Sequence, residues 1–339
     1  MGLFKTLKVN AKRSLSGAWG RAIGIMLLAI LPSILINALE YGIRAVAGIP
    51  EFMDLSSTPS VAFDDKANVM LVSTIISILI TLLIFVVVTP LSQGVVRWFY
   101  RRTGGENDGV TELFYYFETA RDYFKSLGLY FIITLRMILW MILLCIPACV
   151  GGAVIYAMGL SGAEIPNTVS TISSILAIVW FIIVTILFML ISMRYFLAPY
   201  LLAEHPEMKV RQAIKQGIKM VRGHKGRLFL FNLSFILWWL PTVLGLLLII
   251  PVAFSGMTYM MAFLGLFIVL MIIQFGLFFY VIPYMNAAFA MYARYLIQLN
   301  EGGTDEIYVD TTREYEYKAE IDRYMEEQTL RKNDSENEQ

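Results

Sequence analysis

Two histidines, His205 and His224, and two cysteines, Cys145 and Cys149, are all that these 339 residues hold of the side chains that most often ligate zinc or act as soft nucleophiles. Their spacing offers little chemistry. The cysteines stand as C-x-x-x-C inside an apolar run with no histidine nearby, and read as reduced core residues packing like small hydrophobes. There is no H-E-x-x-H and no G-x-S-x-G, and Gly104-Gly105 and Gly302-Gly303 both lack the Lys-Ser/Thr that completes a phosphate loop. No two acids share an apolar segment, which argues against an intramembrane aspartyl protease. The expectation is a protein without enzymatic activity, with no metal and no cofactor.

Chemical interest concentrates instead on Arg136, a lone cation inside an apolar segment. It follows Gly128 by eight residues, about 12 Å along a helix. A charge at such depth costs about 2.5–3.5 kcal/mol on insertion scales. It therefore either lines a wet cavity as an anion-binding or gating residue, or snorkels to the headgroups or pairs with backbone carbonyls; the second reading is preferred. Four amides, Gln93, Asn286, Asn232 and Gln274, and the hydroxyl of Ser234 complete a candidate intramembrane polar site. Amides in a bilayer usually join helices, each worth about 0.6 kcal/mol. Pro147, Pro241 and Pro251 are expected to break the helical ladder within their segments. Trp19, Trp98, Tyr100, Tyr195, Tyr200 and Tyr292 read as an interfacial aromatic belt, not as base-stacking groups, and no nucleic-acid partner is expected.

The elements that must position these residues are six apolar segments: Ala22–Ala38, Val69–Pro90, Leu127 to about Ala157, Ile172–Met193, Leu228–Phe254 and Tyr259–Val281. The chain is 58% hydrophobic and 16% charged, against roughly 25% charged in soluble domains. Runs of about 20 apolar residues match a bilayer core of roughly 30 Å, and runs without alternation imply helices, not barrel strands. The fold class is therefore all-α, a polytopic membrane protein with six transmembrane helices. Of the 27 Lys and Arg, 24 fall before the first segment, in the second and fourth connections or after the sixth; two, Arg44 and Lys66, fall opposite. That asymmetry places both termini in the cytoplasm of a cell-membrane protein. The first segment reads as a retained span, because Glu40 and Arg44 separate it from the A-x-A match Ala45-Val46-Ala47. The loop Tyr41–Asn68 is expected outside and irregular. Residues 1–300 form the membrane domain. Residues 301–339 carry 13 acids and 5 bases and form an acidic cytoplasmic tail, helical over Arg313–Leu330 and disordered over Asn333–Gln339.

The basic connections contain amphipathic patterns. Over Thr111–Leu127 the residues Leu113, Phe114, Phe117, Ala120, Phe124 and Leu127 recur at helical spacing; over Glu207–Val221 so do Val210, Ile214, Ile218 and Val221. Each is expected to form a helix at the interface or against the end of the bundle. Arg13, Arg121, Lys125, Lys215, Lys219 and Arg222 are the expected contacts to anionic lipid headgroups. The stretch Tyr284–Gln298 is expected to continue along the interface. Aligning Gly20, Gly128 and Gly226 places Arg13, Arg121 and Lys219 seven positions earlier, Leu15, Tyr123 and Val221 five earlier, and Ser234 opposite Arg136. The expected unit is a basic amphipathic helix followed by a transmembrane hairpin, in three parallel copies. Pro90 to Gln93 and Pro283 to Asn286 echo each other as a proline followed three residues later by an amide.

The opening LKVNAKRSLSGAWGRAIGIMLL, the block Met193–Leu240 and the close IPYMNAAFAMYARYL resemble the bacterial membrane proteins grouped as domain of unknown function family 975. The resemblance covers nearly all of residues 1–300. It implies a bacterial helical membrane protein and no particular activity. The functional expectation is a scaffold or a regulatory or assembly factor, with membrane lipids as partners and the acidic tail as a docking segment for protein. The alternative is a transporter or channel-like permease with a polar site around Arg136.

Overall fold

In a bilayer a long apolar segment must satisfy its backbone internally, and a helix does so within one segment. A computed structural model of the chain describes residues 2–48, 63–160, 167–245 and 257–301, and among these there is no strand. The helices are α1 (Leu3–Ser14), α2 (Trp19–Ala47), α3 (Phe63–Thr103), α4 (Tyr115–Glu118), α5 (Ala120–Leu160), α6 (Asn167–Ser192), α7 (Ala198–Glu204), α8 (Val210–Val221), α9 (Lys225–Leu233) and α10 (Met257–Asn300). Tertiary contacts divide the chain into Met1–Ile297 and Gln298–Gln339, and the buried core belongs to the first unit.

Six helical stretches are long and apolar enough to span a membrane, with ends at Trp19–Ala47, Asn68–Thr103, Ala120–Val154, Thr171–Glu204, Lys225–Gly245 and Leu264–Asn300. This is the six-span, all-helical protein that the apolar runs predict. At most 22% of the apolar window of any span is buried against the rest of the chain, so the spans present most of their side chains outward, as lipid-facing helices do.

Packing lies elsewhere. Helix α3 has 41 residues and α10 has 44, about 60 Å and 65 Å at 1.5 Å per residue. That is twice the roughly 30 Å of a hydrocarbon core. The surplus in each runs beyond its apolar segment, past Pro90 in α3 and past Pro283 in α10, and there the core forms. Trp98, Phe99, Leu113, Tyr116, Leu197, Ala198, Leu201, Phe231, Ala287, Tyr292 and Leu296 are all buried. Both prolines lie inside continuous helices. The first five cations, the second and fourth connections and Arg294 all meet in this layer, which is therefore the basic end of the molecule.

Helix α8 packs its apolar face inward. Ile214 joins Leu129, Tyr195, Ala198 and Leu202 in one buried cluster, flanked by Val210 and Ile218. Gly217 makes the approach possible, because a Cβ there would stand 3.1 Å from the Ala198 nitrogen. Of the two compatible placements expected for this helix, packing on the end of the bundle is seen directly, and Lys209, Arg211, Lys215, Lys219 and Arg222 remain exposed.

Several local expectations are corrected. Thr111–Leu127 is not one helix: a 3-10 turn over Val110–Phe114 leads into the four-residue α4, Thr119 is extended, and α5 starts at Ala120. Leu113 and Tyr116 turn inward while Phe114, Phe117 and Phe124 stay exposed. The stretch from Tyr284 is not an interfacial strap but the buried end of α10. The loop Tyr41–Asn68 is helical at both margins, to Ala47 and from Phe63; residues 49–62 lie outside the described residues, as do Pro251 and the tail segments Arg313–Leu330 and Asn333–Gln339. Pro147 sits within an unbroken α5. The interruption of the fifth span falls earlier than Pro241, where α9 ends at Leu233 and a 3-10 turn covers Ile236–Trp239. The Ser234 hydroxyl donates back to the Phe231 carbonyl at 2.5 Å, a side-chain bond that competes with the helical ladder.

The three aligned copies share their plan only in part. In the first and third, a 12-residue basic helix ends and a glycine with positive φ, Gly17 (70°) or Gly223 (93°), turns the chain into the span. In the second, Lys125 holds that place and α5 runs straight through.

Candidate functional site

Helical spacing puts Gln93, Arg97 and Arg101 on one face of α3, with Arg102 beside them. Between them these side chains tie α3 to α1, α4, α7 and the turn over 106–112. The Arg97 Nε donates to Glu112 at 2.6 Å, another of its nitrogens donates to the Ala203 carbonyl at 2.9 Å, and its guanidinium stacks 3.7 Å from the Tyr115 ring centroid. Arg101 grips Asp108 through two nitrogens, at 2.6 and 3.2 Å, and Glu106 at 2.5 Å. A bidentate carboxylate pair of this kind is the strong form of an ion pair. Arg102 donates to the Ser14 carbonyl at 2.8 Å and the Ser16 carbonyl at 3.2 Å, placing a cation at the C-terminus of α1, where the helix dipole favours it.

Further ties extend the clasp. Arg21 donates to Asn107 at 2.8 Å, joining α2 to the same turn. Arg294 donates to the Tyr100 carbonyl at 2.8 Å and lies 4.4 Å over the Tyr100 ring, joining α10 to α3. Gln93 donates to the Pro199 carbonyl at 2.8 Å and to the Tyr116 hydroxyl at 3.3 Å. Burial pushes the Tyr116 phenol up to about 12, so it stays neutral at physiological pH. The acceptors of these arginines are carboxylates and carbonyls of the chain itself, so the clasp is a structural device.

The structure does not gather the six expected polar residues into one site. Gln93 is buried in the clasp. Asn286 bonds its own helix at the Ile282 carbonyl, 2.9 Å away, and approaches the Met26 sulfur at 3.9 Å. Asn232 and Ser234 lie at the break after α9, where the Asn232 carbonyl accepts from the Phe235 N–H. Gln274 is half-buried in α10 with its side-chain oxygen unpartnered among the described residues. Arg136 stands apart on the exposed face of α5, near the outward-facing Leu135 and Leu139. Of the expected headgroup contacts, Arg13, Arg121, Lys215, Lys219 and Arg222 are exposed. Lys125 is turned inward, donating to the Pro206 carbonyl and lying 3.7 Å from Asp122.

Sequence reasoning missed a second clasp at the opposite end. Arg44, which the sequence places in a loop, is buried within α2. It donates to Glu40 at 2.8 and 3.0 Å, to the Ser73 hydroxyl at 2.8 Å and to the Ser77 hydroxyl at 2.7 Å, and so locks the first hairpin. The spacing Glu40 to Arg44 and Ser73 to Ser77, each i to i+4, was the available signal. Beside it opens a cavity of about 450 Å³ lined by Ser73, Thr74, Ser77 and Thr81. Among the described residues no three His, Cys, Asp or Glu side chains are grouped to hold a metal.

The family described as "Protein of unknown function (DUF975)" matches residues 1–300. No curated protein and no solved structure matches the chain.

Proposed function

The chain belongs to the DUF975 family, and from that premise we propose that it is a non-enzymatic scaffold or regulatory and assembly factor of the bacterial cytoplasmic membrane, acting through its basic end. One observation carries this reading. Most of the buried large side chains lie at the basic end, where the clasp fixes the helix ends and α8 with its flanking residues leaves five cations exposed. A packed, cation-bearing platform on spans whose side chains mostly face outward is suited to holding partners and anionic headgroups. The bias of 24 cations to two supports an orientation with this end and both termini in the cytoplasm. The acidic residues 301–339 would serve as a docking segment for a protein partner. A permease built around Arg136 has no hydrogen bond or ion pair of that residue, among the described residues, to draw on.

Photo-crosslinking tests the platform. A photoreactive residue at Lys215 or Lys219 is expected to give discrete higher-mass adducts in intact cells, at least several-fold above those from Leu139 or Ile142, which face outward within a span. Equal yields from both sets, or none from α8, would remove the basis for this reading.

A further inference from the structure

Three lysines of α1, Lys5, Lys8 and Lys12, fall at i, i+3 and i+7 and so share one face of that helix. Together with Phe4, Val9 and Tyr284 they line a pocket of about 320 Å³. This is within the range of small-ligand sites. The deepest of the three is Lys8. Its ammonium lies 4.3 Å from the Phe235 ring centroid and donates to the Ser234 carbonyl at 3.3 Å. That carbonyl is free to accept because the fifth span breaks there. Burial lowers the Lys8 pKa from its ordinary value. An ammonium has three donors, and among the described residues Lys8 uses one on this long bond. Lys5 and Lys12 are exposed and make no ion pair among the described residues. The pocket thus concentrates positive charge, in contrast to the arginines of the clasp, whose carboxylate partners belong to the chain.

Aromatic rings continue from the pocket toward the apolar segments. Phe235 packs on Tyr284 (5.7 Å), Tyr284 on Tyr280 (6.0 Å), and Tyr280 stacks on Trp19 at 5.1 Å and leans on Trp238 at 5.7 Å. Amphipathic rings of this kind favour the headgroup level of a membrane. We propose that this pocket binds the phosphate of an anionic phospholipid, with Lys5, Lys8, Lys12 and the Tyr284 hydroxyl around the phosphodiester and the glycerol and acyl chains leaving along the Tyr280–Trp238 shelf. The cations alone would suit any phosphate; the shelf leading into the apolar zone selects a lipid over a soluble anion. The site lies outside the headgroup contacts expected from sequence, and it does not depend on the scaffold reading, since a permease could hold the same lipid.

The test uses the full-length protein in an uncharged detergent, titrated with fluorescent phosphatidylglycerol and, separately, phosphatidylcholine. Lys5→Gln with Lys12→Gln removes two exposed charges without disturbing packing and is expected to weaken phosphatidylglycerol binding by about 10- to 25-fold, at about fivefold per lysine. Lys8→Met is expected to weaken it by a further factor of about five. Lys225→Gln with Arg227→Gln removes as much charge from the first turn of α9 and is expected to change binding less than about twofold, and phosphatidylcholine should bind weakly to all variants. Equal losses in the α1 and α9 pairs would reduce the effect to surface charge and overturn the site, as would unchanged binding in the α1 pair. Displacement of the lipid by millimolar inorganic phosphate would overturn the lipid assignment.

Discussion

Replacing Arg97 by methionine is expected to lower the unfolding free energy by about 3–5 kcal/mol, the usual cost of breaking a buried ion pair from one side. The Arg97 and Glu112 side chains are 8% and 20% exposed and 2.6 Å apart. Methionine fills much of the space but leaves the Glu112 carboxylate without its main partner and the Ala203 carbonyl without its donor. The lower half of the range is favoured, because Arg101 still lies 3.7 Å from Glu112. Glu112→Gln should cost less, since an amide oxygen still accepts from Arg97. The double variant Arg97→Met with Glu112→Gln should recover part of the loss, because no unpaired charge remains. Denaturant unfolding in mixed micelles, followed by circular dichroism, reads all three; a loss under about 1 kcal/mol for Arg97→Met would show that the pair does not hold the basic end together.

Gly94→Ala is the second large effect. Gly94 is buried in α3 where the 3-10 turn crosses it, and an added Cβ would run into the Leu113 carbonyl oxygen and stand 2.8 Å from its carbon. Backbone cannot swing aside as a side-chain end can, so the turn that carries Glu112 must move. Overpacking of this kind typically costs about 1–3 kcal/mol, and the shift should also loosen the Arg97 to Glu112 pair. Gly128→Ala is the matched control: it too lies within a helix, and nothing stands within 4 Å of the added atom. It should be neutral or stabilising by up to about 1 kcal/mol, from reduced backbone entropy. Gly94→Ala behaving like Gly128→Ala under the same unfolding assay would contradict the packing described.

The spans are legible because a bilayer imposes its thickness on the sequence: a run such as Ile172–Met193 needs no partner to be recognised. The basic end is harder to read, since its features depend on residues far apart in the chain. Arg97 reads as one more interfacial cation until Glu112 and Ala203 are brought to it. Arg44 reads as a loop residue until α2 is seen to continue past Ala38 and to lie against Ser73. Other signals are local and lie in the sequence itself. Thr119 and Asp122 have the spacing of a helix start, and the Thr119 hydroxyl does donate to Asp122 at 2.7 Å; that pattern divides Thr111–Leu127 and tells against a single amphipathic helix. The break at Ser234 is masked by the prolines downstream, which are the stronger breakers by type. Arg136 stands out in an apolar run because it is charged, while its exposure is set by where the neighbouring helices lie, which sequence does not display.

A protein that works from its basic end needs no watered path through its spans to Arg136, and thiol accessibility tests that most directly. In a chain with Cys145→Ala and Cys149→Ala, both free cysteines are removed, and Arg136→Cys, Val46→Cys and Lys219→Cys are introduced one at a time. A membrane-impermeant thiol reagent is then applied from each side of sealed vesicles. Val46 is 92% exposed at the end opposite the clasp and Lys219 is exposed on α8, so each control should react from one side only. Position 136 is expected to react from neither. Labelling at 136 from either side, with the controls intact, would mean that water reaches mid-span and would contradict the scaffold reading in favour of a permease.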